Sequence, residues 1–252
     1  MSAIGKVASL GAVSLALLGA TSGCADNESS LFIIGVLSID DNECVVTPTP
    51  EGPFLFSGTL DLELRDSYTA PLLVGNQLTE RGSRNQLRTE TSRIRMQGAE
   101  VTLEDANGGT IAEFSTLGSG FAHPASGTDP GYGGFLTELI PAGAPVQEGQ
   151  YVAVVKVFGT TLGGQELESG ELRFPIEVCT GCLIAYPPSA QDSNLGPGDG
   201  YLCAMNPADA LGEGAEGTVG CFPGQDRTVS CILCSSFSDM CRDPNLNPYF
   251  QP

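Results

Sequence analysis

Apolar residues recur at every second position along much of this chain. Leu60, Leu62 and Leu64 fall on one side of an extended segment while Asp61, Glu63 and Arg65 fall on the other, the period of a strand buried on a single face. Ile94 and Met96 alternate with Arg93, Arg95 and Gln97, after which the apolar set passes to Ala99, Val101 and Leu103. The phase slips by one at Gly98, where a β-bulge would absorb the extra residue. Asp105, Asn107, Gly108 and Gly109 tolerate positive φ, so a hairpin is expected to return through Ile111 and Phe114. Asp105 and Asn107 could suggest calcium ligands, but their spacing does not complete an EF-hand loop and the turn is the stronger reading. Further strands are expected at residues 31–39, 135–140 and 150–158. In a last strand Leu172, Phe174, Ile176 and Val178 face inward, and Pro175, which has no N–H to donate, predicts an edge position. Residues 40–53, stiffened by Pro48, Pro50 and Pro53, read as a connector. Residues 72–92 show no sustained alternation and read as an extended connection with at most a short strand at 72–74. Residues 118–134, rich in Gly, Pro and Ser and carrying the only histidine, His123, read as a loop.

The longest apolar run is of another kind. Residues 7–18 follow one cation, Lys6, and precede small residues ending in Gly23-Cys24, the layout of a lipoprotein signal peptide cleaved before an acylated Cys24. Thr21 stands where such signals usually carry Leu. Ordinary cleavage after Ala20-x-Ser22 is the competing reading and would release a soluble protein beginning at Gly23. A permanent membrane helix is disfavoured because spanning takes roughly 20 apolar residues. Nine cysteines are present; setting aside an acylated Cys24 leaves an even set, whereas soluble secretion leaves an odd thiol. Several acyl chains, at about 0.8 kcal/mol per buried methylene, anchor a protein durably. Ala25, rather than an acid, after the cysteine points to the outer membrane. The expected placement is the cell envelope, lipid-anchored, facing either periplasm or exterior.

Composition narrows the body. Thirty-three Gly, seventeen Pro and no Trp in 252 residues suit short strands and many turns, hence an all-β fold. The expected organisation is a signal peptide at 1–23, then the lipidated cysteine, tether and N-terminal strand at 24–53. A β-sandwich at 54–178 and a cysteine-rich tail at 179–252 complete it. A net charge of −19 argues against nucleic-acid partners, which require a positive field to displace counterions; its plain meaning is a solvated surface. Against that background Arg81, Arg84, Arg88, Arg93 and Arg95 form a basic island. It reads either as an anion-binding or membrane-facing loop that grips phosphates with guanidinium forks, or as charge neutralised by nearby Glu80, Glu90 and Glu100.

The tail carries Cys179, Cys182, Cys203, Cys221, Cys231, Cys234 and Cys241 among many Gly and Pro, with too little apolar material to fold without disulfides. Seven is odd, so Cys44 is expected to pair with a tail cysteine and fold the tail across the sandwich near the connector. Cys179-x-x-Cys182 and Cys231-x-x-Cys234 are also spaced as zinc knuckles or redox dithiols, readings that an oxidising compartment disfavours. Asp192, Asn194 and Asp199 read as a turn in preference to a calcium loop.

Glu148-Gly149-Gln150-Tyr151 resembles the tyrosine corner of immunoglobulin-like sandwiches. The segment from Gly98 to Gly109 is similar to the opening hairpin of carboxypeptidase-regulatory and transthyretin-like sandwich modules. Over its whole length the chain resembles cysteine-bearing outer-membrane lipoproteins of myxobacterial type, carried by residues 174–183, 221–226 and 231–234. These resemblances imply an immunoglobulin-like sandwich in a cell-envelope lipoprotein; they transfer no binding residue and imply no cofactor.

Catalytic signatures are absent: no Gly-x-Ser-x-Gly elbow, His-Glu-x-x-His helix, phosphate loop or dinucleotide fingerprint occurs. The sequence therefore points to a non-enzymatic binding, adhesion or structural module with an envelope protein or glycan as partner. An exported hydrolase or metal-binding protein using His123 or the acidic loops is the alternative.

Overall fold

The computed structural model describes residues 30–40, 43–82, 88–186, 203 and 220–250. Residues 1–23, read above as a signal peptide, lie outside the described residues, as do Cys24, Arg84, Asp192, Asn194 and Asp199. The fold is all-β. One sheet has the order β2-β1-β4-β7, with β1 (Leu31–Leu37), β2 (Phe54–Leu55), β4 (Tyr68–Asn76) and β7 (Gly131–Ile140). The facing sheet has the order β3-β10-β8-β5-β6, with β3 (Gly58–Asp61), β5 (Ile94–Asp105), β6 (Thr110–Ala122), β8 (Gly149–Thr161) and β10 (Leu172–Cys179), and β9 (Glu166–Glu168) beside β8. With β4 between β1 and β7, and β5, β8 and β10 consecutive in the other sheet, this is an immunoglobulin-like alternation. Because β1 pairs with β4, the sandwich starts at Leu31.

The inward positions of both sheets meet in one core that includes Leu31, Leu72, Ile94, Leu103, Phe135 and Phe174. Each such side chain removed from water contributes about 1.5–3 kcal/mol before chain entropy is subtracted. The phase slip at Gly98 is a bulge, with the register of β5 shifting between Met96 and Gly98 against both neighbours. The Asp105 carboxylate closes the next hairpin by accepting from the Asn107 and Gly109 N–H groups at 2.8 Å each, and Gly108 takes φ 80°.

Four expectations change. Residues 68–76, within or next to the expected connection, form the nine-residue β4. Every position in it is buried, because a central strand covered on both faces has no alternation to display. Its pairing with β1 reaches Leu72 and stops short of the adjacent Pro71, where the missing N–H would break the ladder. Residues 118–134 are not one loop: β6 continues to Ala122 and β7 starts at Gly131. The glycines there admit close backbone approach, since a Cβ on Gly118 would meet the Phe135 ring at 2.7 Å and one on Gly120 the Gly134 carbonyl at 2.8 Å. β10 is an edge only through Pro175, because β3 joins it in parallel from Ile176 onward. The alternation through Leu64 stops at Asp61, where β3 ends in a turn and the acid is fully buried.

Candidate functional site

The cysteine-rich tail packs against one end of the sandwich, and the polar residues most altered by their surroundings gather there. Asp61 closes β3. Its carboxylate accepts the N–H groups of Gly181 at 2.6 Å, Leu183 at 2.8 Å and Glu63 at 3.1 Å. A buried acid thereby stitches the strand end to the first tail turn, which is why it breaks the outward pattern of its neighbours. The outer edge of β3 is covered by the loop after Cys221: the Asp61 N–H donates to the Gly224 carbonyl and the Asp226 N–H to the Thr59 carbonyl. The Thr59 N–H returns to the Asp226 carboxylate at 2.8 Å. Such a cap removes a free edge that would otherwise invite other strands.

The same loop reaches the opposite sheet. Gln225 mimics a strand with its side-chain amide, accepting from the Thr69 N–H at 2.9 Å and donating to the Thr69 carbonyl at 2.7 Å. The Tyr68 hydroxyl donates to Asp226 at 2.8 Å, and the Arg65 guanidinium lies 4.8 Å over the Phe222 ring. Burial pushes the Asp226 carboxyl above the usual aspartate range, although bonds from Thr59, Tyr68 and Gln225 and the charge of Arg227 pull it back. Burial, then the neighbouring Asp226 charge, pushes the Tyr68 phenol upward, so Tyr68 remains a donor. The adjoining cavity, lined by Val36, Leu55, Tyr68, Pro71 and Asp226 among others, holds about 120 Å³, well below the roughly 300 Å³ where ligand pockets begin. An acid and a phenol already hydrogen-bonded to each other and to backbone form a clamp between tail and sandwich.

Disulfides complete the clamp. Cys44 is joined to Cys221, Cys179 to Cys182, Cys203 to Cys231 and Cys234 to Cys241. The Cys231-x-x-Cys234 spacing does not make a pair of its own, since each sulfur goes to a different partner. Asp61, Cys179 and Cys182 bring three potential metal ligands within 4.8 Å. The two sulfurs are bonded to one another and both Asp61 oxygens already accept backbone N–H groups, so the trio fits a structural staple better than a cation site. Short strands β11 (Ile184–Ala185) and β12 (Val229–Ser230) and single-turn helices at Cys231–Cys234 and Asp239–Arg242 surround this small core.

The basic island lies at the other end. Asn76, fully buried at the end of β4, donates to the Ser92 carbonyl at 2.9 Å and the Ala122 carbonyl at 3.3 Å. It thereby ties the island's loop to the sheet opposite. Glu90 organises the same loop by accepting the N–H groups of Ser92 at 2.5 Å, Gly82 at 2.7 Å and Arg81 at 2.9 Å. Desolvation opposes its ionisation, but these bonds outweigh it and hold its pKa below the ordinary glutamate value. Glu90 thus neutralises backbone dipoles; its contact with the island is through amides. Among the described residues no ion pair involves Arg81, Arg88, Arg93 or Arg95. Arg81, Arg88 and Arg95 are exposed. The Arg93 guanidinium sits 4.3 Å over the Phe121 ring, and its buried Nε has no hydrogen-bond partner. His123 is exposed in the loop beside the island, with no hydrogen bond to its ring among the described residues.

Between these ends, a groove follows the seam where β6 and β7, each the last strand of its sheet, run side by side. It is bordered by Phe114, Leu117, Leu136, Pro141 and Phe222 and holds about 600 Å³; Leu117 is 87% exposed and Leu136 52%. At the foot of β8 the Tyr151 hydroxyl accepts the Gln147 N–H at 3.0 Å, the back-bond of a tyrosine corner. The roles of Asp226, Gln225 and Tyr68 were not signalled in the sequence, since 156–158 positions separate the tail loop from its partners.

No family model matches the chain, and no curated protein matches it. Among solved structures it is similar to the CooA pilin subunit from enterotoxigenic Escherichia coli, at 10% identity and a TM-score of 0.22, over 59% of this chain and 98% of that one.

Proposed function

We propose that this chain is a cell-envelope lipoprotein, acylated at Cys24 and held at the outer membrane. Its sandwich serves as a non-enzymatic binding, adhesion or structural module, and its tail is a clamped cap. The observation that carries the reading is the sulfur pairing. All eight cysteines after residue 24 are joined in twos, which leaves Cys24 as the one thiol available for a fatty acid and fits an oxidising compartment. The resemblance to myxobacterial-type lipoproteins fits the same placement. A non-enzymatic role is supported by the use of the shifted groups Asp226 and Tyr68 as clamp members, and the exposed groove between β6 and β7 offers a partner an apolar surface.

Metabolic labelling with an alkyne-bearing fatty acid tests the anchor. Label is expected on the wild-type chain and absent from Cys24→Ser; equal label on both, or none on either, contradicts it. For the module, a hydrolytic activity of the purified protein that disappears in a folded His123→Ala variant would replace the binding reading with an enzymatic one.

A further inference from the structure

We infer that the end of the sandwich carrying Arg81, Arg88, Arg93 and Arg95 is a second membrane contact, a surface that takes the phosphates of anionic lipid headgroups. The inference builds on the proposed anchor at Cys24. The described chain begins at this end: the Ser30 carbonyl accepts the Gln77 N–H at 2.9 Å and Leu31 pairs with Asn76, five residues before Arg81. From Cys24 to Ser30 the chain can span at most about 20 Å. An acylated N-terminus therefore holds the island close to the bilayer surface and keeps the tail-covered end away from it.

Charge supports the same orientation. The chain as a whole carries −19, so an anionic membrane repels most of its surface. The nine-residue β4 alone separates the two ends by about 30 Å, nearly four Debye lengths at physiological salt, so the acids of the far end are screened from a surface that the island touches. Glu80, Asp129 and Glu166 share the island end, yet none forms an ion pair with it among the described residues, and Glu90 is turned onto backbone amides. Phe121, 42% exposed beneath Arg93, and Leu162, 50% exposed beside it, give the cations apolar neighbours suited to a headgroup boundary. The described guanidiniums are spread over a loop and a strand, which fits many shallow phosphate contacts better than one small anion. The acyl chains supply the anchor, and a basic patch beside them adds orientation and a preference for anionic lipid.

The test uses the mature protein mixed with vesicles of phosphatidylcholine, with or without phosphatidylglycerol. Flotation is followed by arginine modification with phenylglyoxal. Flotation with both vesicle types, with Arg81, Arg88 and Arg95 shielded only on the anionic ones and Arg242 equally reactive on each, is the expected result. Removing charge with Arg88→Gln and Arg95→Gln, both at exposed positions, should weaken the salt-sensitive preference for anionic vesicles about fivefold per arginine. Equal reactivity of the island on both vesicle types overturns the inference while leaving the anchor intact. Flotation with neither type at physiological salt defeats the anchor and with it the inference, which builds on it. Shielding by soluble inorganic polyphosphate but not by vesicles overturns the assignment to lipid.

Discussion

At the tail-covered end, the carboxylates of Asp61 and Asp226 are turned inward onto backbone N–H groups and the Tyr68 hydroxyl, and a disulfide ties the connector to the tail. At the arginine end, Glu90 is likewise taken up by backbone, but Arg81, Arg88 and Arg95 are exposed and without ion pairs among the described residues. One end has used its polar groups to hold itself together, and the other has charge left over. Buried, mutually satisfied polar groups are the mark of structure, whereas unpaired charges on a surface of opposite sign are available to a ligand. The candidate site is therefore at the end where Arg81, Arg88 and Arg95 are exposed and form no ion pair among the described residues.

The largest predicted effect breaks the clamp. Cys44 and Cys221 are 177 residues apart, and closing so long a loop is worth up to about 5 kcal/mol in the chain-entropy account. Replacing both by Ser should lower stability by several kcal/mol in denaturant titration and expose the tail to protease, with the arginine end unaffected. Asp61→Ala should cost about 3 kcal/mol, since it leaves three backbone N–H groups without an acceptor, two of them in the tail turn. Asp226→Ala should cost about 2 kcal/mol by the same reasoning, because the Thr59 N–H and the Tyr68 hydroxyl lose their acceptor.

A pH titration separates the two ends by sign. The folded pKa of Asp226 is raised, so its contribution to stability is fully present below the ordinary aspartate value of about 3.9 and is lost as pH rises through the folded pKa. The folded pKa of Glu90 is lowered, so its contribution is present above the ordinary glutamate value of about 4.3 and is lost as pH falls through the folded pKa. Amide exchange, corrected for intrinsic rates, should show Thr59 better protected on acidification and Gly82 and Ser92 less so. Asp226→Asn should flatten the first trend alone. The smallest expected effect is at the arginine end: Arg93→Ala removes the stacking on Phe121 and should cost no more than about 1 kcal/mol.

The all-β class, the bulge at Gly98, the hairpin at Asp105 and the corner at Tyr151 could be read in the sequence, because each is set by residues within a few positions of one another. β4 was not legible, since burial on both faces erases alternation, and a segment holding Pro71 resembles a connection. The continuation of β6 through Gly118 and Gly120 was hidden by glycines that mark close packing as readily as a loop. The clamp could not be foreseen beyond its cysteines: Asp61 presents itself as the polar side of a strand, and Asp226 as a turn residue. The basic island was legible as a cluster, but its position beside Ser30 follows from the pairing of β1 with β4.

Mass spectrometry of the mature protein under non-reducing conditions tests the central claim most directly. The account predicts an N-terminal peptide that begins at Cys24 and carries fatty acyl groups, together with four disulfide-linked peptides that include Cys44 joined to Cys221. An unmodified N-terminus at Gly23, with a free thiol at Cys24 or at Cys44, would contradict it.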